Sequence, residues 1–181
     1  MKKLVLLAAV ALLVACGGGK TEGDTSDTAE AVKRIRAMED SVFENLAFDT
    51  RTAQALLDVY KAFASAHPQD TMAPEYLFRA AGVAKSMHDG DQGLRLYERI
   101  IADYPSWRRL PDVYYLKAFT LDSDLDRKGE ARTAYTEVIN RFPEHPFARD
   151  AKAMIENLGL TDEQLIEKFE AMRQDSATTV E

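Results

Sequence analysis

The chain has 181 residues, 23 Lys and Arg against 30 Asp and Glu, and a formal charge of −7. An acidic chain with no stripe of Lys and Arg repels polyanions, so nucleic acid is excluded as a partner class. Cys16 is its single cysteine, so no intramolecular disulfide forms, and the length suits one folded domain.

Met1-Lys2-Lys3 is a short basic start, and Leu4 to Ala15 is an unbroken apolar run. A membrane-spanning helix needs about 20 residues, so this run matches the core of a signal peptide instead. Leu13-Val14-Ala15-Cys16 resembles the lipobox of bacterial lipoprotein precursors. The resemblance implies that residues 1–15 are removed and that Cys16 becomes an acylated first residue, carrying palmitate-like chains. Each buried methylene contributes about 0.8 kcal/mol, so two or three chains anchor the protein to a membrane. Losing Lys2 and Lys3 leaves 21 basic against 30 acidic residues, a charge of −9.

Residues 16–28 form the second unit: the lipidated cysteine and a tether, GGGKTEGDTSDT, with no apolar residue to bury. By resemblance to enterobacterial sorting, Gly17 rather than Asp after the cysteine implies the outer membrane, on its periplasmic face. Glu22, Asp24 and Asp27 resemble the acidic tethers of surface-exported Bacteroidetes lipoproteins, which leaves the outer face open as well.

From residue 29 onward the pattern repeats. Tyr60, Tyr97 and Tyr135 recur at steps of 37 and 38, each eight residues before Pro68, Pro105 or Pro143. Phe63, Ile100 and Val138 follow each tyrosine by three; Leu77 and Tyr115, Ala80 and Ala118, and Gly93 and Ala131 share the 38-residue offset. Fixed offsets of this size mark stacked supersecondary units. Leu94, Tyr97, Ile100 and Ile101 have helical spacing, as do Ala131, Tyr135, Val138 and Ile139. The prolines after each tyrosine end a helix, and Pro74, Pro111 and Pro146 open the next. Thr161 with Gln164 forms a capping box. The spacing predicts an all-α domain over 29–173 with four antiparallel pairs: 29–47 with 50–66, 73–88 with 91–104, 110–123 with 127–142, and 146–158 with 161–173. Residues 174–181 read as a disordered tail.

Small residues in the first helix, an aromatic in the second and a closing proline make residues 50–160 similar to tetratricopeptide repeats. Leu77 and Tyr115, then Ala84 and Asp122, stand where that signature has tryptophan and tyrosine, so the repeats are divergent. "APEYLFRAAGVA" (73–84) and "AYTEVINRFPEHPFARDA" (134–151) are similar to envelope lipoproteins of this kind. They include the helical-repeat lipoprotein of the β-barrel assembly machinery, the coordinator beside the Tol–Pal complex, and small Bacteroidetes lipoproteins. The resemblance implies an α-solenoid with a concave binding surface.

His67, His88 and His145 lie apart near helix ends, with no i, i+4 partner for a metal pair. Asp122-Ser-Asp124-Leu-Asp126 imitates a calcium loop, but Arg127 and Thr133 stand where such a loop needs glycine and glutamate. Asp126 reads instead as a helix cap. The chain therefore carries no expected metal, cofactor or catalytic residue, and it reads as a non-enzyme. Two partner-binding sets remain. By repeat position Glu75, Phe78, Lys85, Leu116 and Thr120 line the concave face, with Phe78 and Leu116 also readable as core. Trp107-Arg108-Arg109 is an aromatic-basic cluster, readable either as a binding site or as cover over a turn. The expected function is a lipid-anchored scaffold for other envelope proteins, in outer-membrane assembly or envelope maintenance. An accessory role in surface nutrient capture and a cell-wall enzyme are the alternatives.

Overall fold

The computed structural model describes residues 22–44 and 49–178; the apolar leader, Cys16 and residues 17–21 lie outside them. The described residues build an all-α solenoid: α1 (Glu22–Glu44), α2 (Thr50–Ala66), α3 (Ala73–Ser86), α4 (Gly90–Asp103), α5 (Leu110–Phe119), α6 (Lys128–Arg141), α7 (Pro146–Asn157) and α8 (Asp162–Thr178). A π-helical turn, Thr120–Asp124, continues α5.

Proline sets the rhythm of the stack. His67, Tyr104 and Phe142 precede Pro68, Pro105 and Pro143, and each leaves the helical region at φ near −130° and ψ near 55° (−126° and 59°, −131° and 56°, −132° and 54°). Two main-chain hydrogen bonds then carry each loop to the next helix. In the first loop Asp70 N–H donates to the His67 carbonyl and Ala73 N–H to Asp70, both at 3.0 Å. Trp107 to Tyr104 and Leu110 to Trp107 repeat the pattern at 3.0 Å; His145 to Phe142 and Ala148 to His145 repeat it at 2.9 Å. Pro74, Pro111 and Pro146 sit in the first turn of α3, α5 and α7, where the missing N–H costs nothing.

Tyr60, Tyr97 and Tyr135 are the buried centres of α2, α4 and α6, at 3%, 3% and 0% exposure. Ala80, Ala81 and Ala84 of α3, Ala118 of α5 and Ala131 of α6 are fully buried, letting helix backbones approach closely. Aromatic pairs join successive units. Tyr76 of α3 stacks on Tyr60 at 5.4 Å and meets Phe63 edge-on at 4.7 Å, and Tyr115 of α5 stacks on Phe147 of α7 at 4.5 Å. Such pairs contribute about 0.5–1.5 kcal/mol beyond their buried area.

The structure departs from the sequence reading in four places. Helix α1 starts at Glu22, so residues 22–28 of the expected tether are helical; Thr28 Oγ1 lies 3.2 Å from His67 Nδ1. Once the face containing Val32, Ile35 and Met38 has docked, extending the helix backward costs little. The helix expected over 110–123 widens into the π-turn after Phe119. Asp126 does not cap α6: it takes φ +50° in the turn, and Arg127 precedes the helix with no side-chain cap bond. Last, α8 continues to Thr178, into the expected tail, and Lys168 joins it to Asn157 and Glu156 of α7. Its capping box forms, with Thr161 N–H donating to Gln164 Oε1 at 2.9 Å and Gln164 N–H to Thr161 Oγ1 at 3.3 Å. No described residue of α8 is buried, because α7 has already committed Ala151, Met154, Ile155 and Leu158 to the core it shares with α5 and α6.

Two glycines test the packing. A Cβ on Gly90 would meet Leu125 Cδ2 at 3.0 Å and Asp124 Cβ at 3.1 Å, whereas one on Gly82, in mid-α3, would meet nothing within 4 Å. Gly82→Ala is therefore expected to stabilise the fold by up to about 1 kcal/mol. Gly90→Ala is expected to destabilise it by about 1–2 kcal/mol as the π-turn is pushed away. Urea denaturation midpoints check both signs.

Candidate interaction surface

The first helices of successive pairs present a shared face, and a chain of hydrogen bonds and ion pairs crosses it. Tyr60 Oη donates to Glu39 Oε1 of α1 at 2.6 Å, and Arg79 Nη1 reaches the same oxygen at 2.7 Å. Arg79 Nε pairs with Glu75 Oε1 one turn back at 3.3 Å. The other Glu75 oxygen takes Arg109 Nη1 at 3.3 Å, and Arg109 Nη2 faces Asp112 at 3.5 Å. The links run from α1 and α2 through α3 to the start of α5. The ion pairs beyond the buried Tyr60 hydroxyl are partly exposed, so each contributes only about 0–1 kcal/mol, and their joint effect is orientation. The sequence does not single out Glu39 or Arg79; the i, i+4 spacing of Glu75 and Arg79 was the available signal.

The two predicted sets meet at Arg109. Its guanidinium lies 4.0 Å from the Phe78 ring centre and 5.7 Å from that of Trp107, and Trp107 meets Phe78 edge-on at 5.7 Å. Glu75, Phe78, Trp107 and Arg109 thus form one cluster bridging α3 and the second loop, while Arg108 is exposed. Arg108 lines a crevice of about 550 Å³ between the first two loops with Pro68, Pro74, Tyr104, Pro105 and Trp107. The Tyr104 hydroxyl is buried with no hydrogen-bond partner among the described residues.

Other predicted members go elsewhere. Lys85 pairs with Asp124 at 3.6 Å and sits 4.2 Å above the Phe119 ring. Leu116 packs partly buried against the core. Thr120 is 2% exposed inside the π-turn, so it lines no open face. The turn needs that residue inside because it rotates Asp122 inward. Asp122 Oδ1 lies 2.8 Å from Lys128 Nζ, and Oδ2 accepts from Tyr135 Oη at 3.4 Å. Burial first, then the nearby carboxylates, raises the phenols of Tyr60 and Tyr135, and burial pushes Tyr97 up to about 12. All three remain protonated donors at neutral pH. Among the described residues no three His, Cys, Asp or Glu stand together as metal ligands.

Trp107 occupies a telling position. Asp70 and His145 stand at the same place in the first and third loops, and each accepts a backbone N–H two residues on: Met72 N–H at 2.7 Å and Phe147 N–H at 3.3 Å. Trp107 cannot accept, so its loop lacks this side-chain bond, while α3 and α5 alike start without a side-chain cap. A missing hydrogen bond of this kind costs about 1 kcal/mol. Packing on Phe78 and Arg109 offsets it, which makes Trp107 partly structural. Trp107→Ala is expected to cost about 2–3 kcal/mol, below the roughly 3–5 kcal/mol of a fully buried tryptophan. Trp107→Asp should lose about 1 kcal/mol less, because its carboxylate can accept from the Arg109 N–H as Asp70 does from Met72. Arg108→Ala should stay within about 0.5 kcal/mol of wild type. Chemical denaturation of the three variants checks the order.

No curated protein matches the chain. Residues 112–145 match the tetratricopeptide repeat family, a stretch that takes in most of α5, the π-turn, α6 and the loop to α7, and so one helix pair of this solenoid.

Proposed function

We propose that the chain is a lipid-anchored envelope protein whose helical repeats hold other envelope proteins in place, in outer-membrane assembly or maintenance. The observation that carries the scaffold half is Trp107: a loop position whose side chain elsewhere accepts a backbone N–H here presents an aromatic beside exposed Arg108 at an inter-repeat crevice. Aromatic and arginine side chains supply most of the anchor energy at protein interfaces. The tetratricopeptide repeat match supports protein partners as a class. Phe78, Glu75 and Arg109 pre-set the ring, so a partner pays little to order it.

The lipobox at Leu13 to Cys16 carries the membrane half. From Cys16 to the start of α1 at Glu22 the chain reaches at most about 20 Å, so an acyl anchor there holds the solenoid near the headgroups. The acidic residues Glu22, Asp24 and Asp27 favour the outer leaflet's external face as a second reading, which protease treatment of intact cells separates from the periplasmic one.

Wild-type protein is expected to take up a palmitate analogue and to fractionate with membranes, and Cys16→Ser to lose both. A Cys16→Ser chain that is still labelled or still membrane-bound refutes the anchor. A photo-crosslinker at Arg108 should give discrete adducts that Trp107→Asp reduces at least about fivefold, and adducts unaffected by that change refute the crevice as the contact.

A further inference from the structure

We infer that the outer face of α8 docks a basic amphipathic helix of a partner protein. Ile166, Phe169 and Met172 are 58%, 57% and 56% exposed, and they are the exposed large hydrophobics among the described residues. Spaced by three, they lie side by side on one helical stripe. Such side chains belong to the buried class in a folded chain, and clustering on one helix marks a contact surface.

Charge decides what covers it. One edge of the stripe is tied to α7: Lys168 Nζ lies 2.7 Å from Asn157 Oδ1 and 3.9 Å from Glu156 Oε2. The opposite edge carries Glu163, Glu167 and Glu170, spaced by four and three, all exposed, with Arg173 the exposed cation at the C-terminal end of the stripe. Glu163 is held below the usual carboxylate range by a backbone hydrogen bond and by Thr161, so it stays charged. A second copy is a poor occupant. An antiparallel pair about a two-fold axis sets glutamate edge against glutamate edge, and a parallel pair needs the edge on which Lys168 is engaged with Asn157 and Glu156. An anionic lipid surface meets the same repulsion. A helix bringing an apolar stripe flanked by Lys or Arg satisfies both the stripe and its acidic border. The inference needs only the folded chain and is independent of the anchor.

The test uses the full chain with Cys16→Ser, which removes the lipid site and leaves every described residue unchanged. The probes are two dye-labelled helical peptides with one leucine stripe, flanked by lysines in one and by glutamates in the other, followed by fluorescence anisotropy. The lysine probe is expected to bind at least about tenfold tighter than the glutamate probe. Ile166→Ala with Phe169→Ala should weaken it at least about tenfold without moving the melting temperature, since neither side chain is buried. Glu167→Gln with Glu170→Gln should weaken it a few-fold and flatten its salt dependence. Equal binding of the two probes, or a lysine probe indifferent to the apolar double variant, overturns the proposal. So does a dimer in sedimentation, or binding to phosphatidylglycerol vesicles, that Phe169→Ala abolishes.

Discussion

A phenol carried out of water needs a new partner for its hydroxyl, and this chain buries one in the second helix of three successive pairs. Tyr60 finds Glu39 on the preceding helix, at 2.6 Å. Tyr135 finds Asp122, which reaches inward only because the helix in front of it opens into a π-turn. The same turn sets Asp124 near Tyr97 in the pair before, where its charge adds to the effect of burial on that phenol. Its two aspartates therefore serve two neighbouring repeats, and the approach of Leu125 and Asp124 to Gly90 ties the turn to the first residue of α4. An unpaired buried hydroxyl costs about 1–3 kcal/mol, comparable to a sizeable part of a domain's net stability. Placing Asp122 and Asp124 thus ties the end of α5 to the burial of phenols in two pairs.

The exposed side of the same helices follows from that arrangement. Glu39, fixed by Tyr60, also receives Arg79; Arg79 holds Glu75; Glu75 holds Arg109; and Arg109 flattens against Phe78. A buried core requirement is passed outward into the orientation of surface side chains. Phe78 and Trp107 present fixed edges because a cation lies over one ring and near the other, within the range where such contacts contribute about 0.5–1 kcal/mol at exposed sites.

The sequence made the helical rhythm legible because that rhythm is local. A proline excludes helix at His67, Tyr104 and Phe142 whatever surrounds it, and a 37- or 38-residue offset of tyrosines needs no tertiary knowledge to find. What escaped depended on neighbours. Thr120 reads as a surface position in an ideal helix, and only the widened turn takes it inside. Asp126 has a cap-like place in sequence but adopts a left-handed conformation, as His88 does 38 residues earlier. The periodicity of α8 gave no warning that α7 had already used its apolar side. Repeat position located Glu75 and Phe78, but the return of the second loop that brings Arg109 onto them is a feature of the fold.

The loops hold one further consequence. Both turn bonds in each are main chain to main chain, so the backbone path is the same whether the side chain between them is Asp70, Trp107 or His145. That position works as a socket whose contents can be exchanged without rewiring the support around it. Mutation can therefore convert a turn-stabilising residue into a recognition residue, or back, in a single step whose cost is set by one hydrogen bond and one patch of packing. Three such sockets at a regular pitch along the stack would let binding preference drift independently at each, while the architecture that displays them stays unchanged.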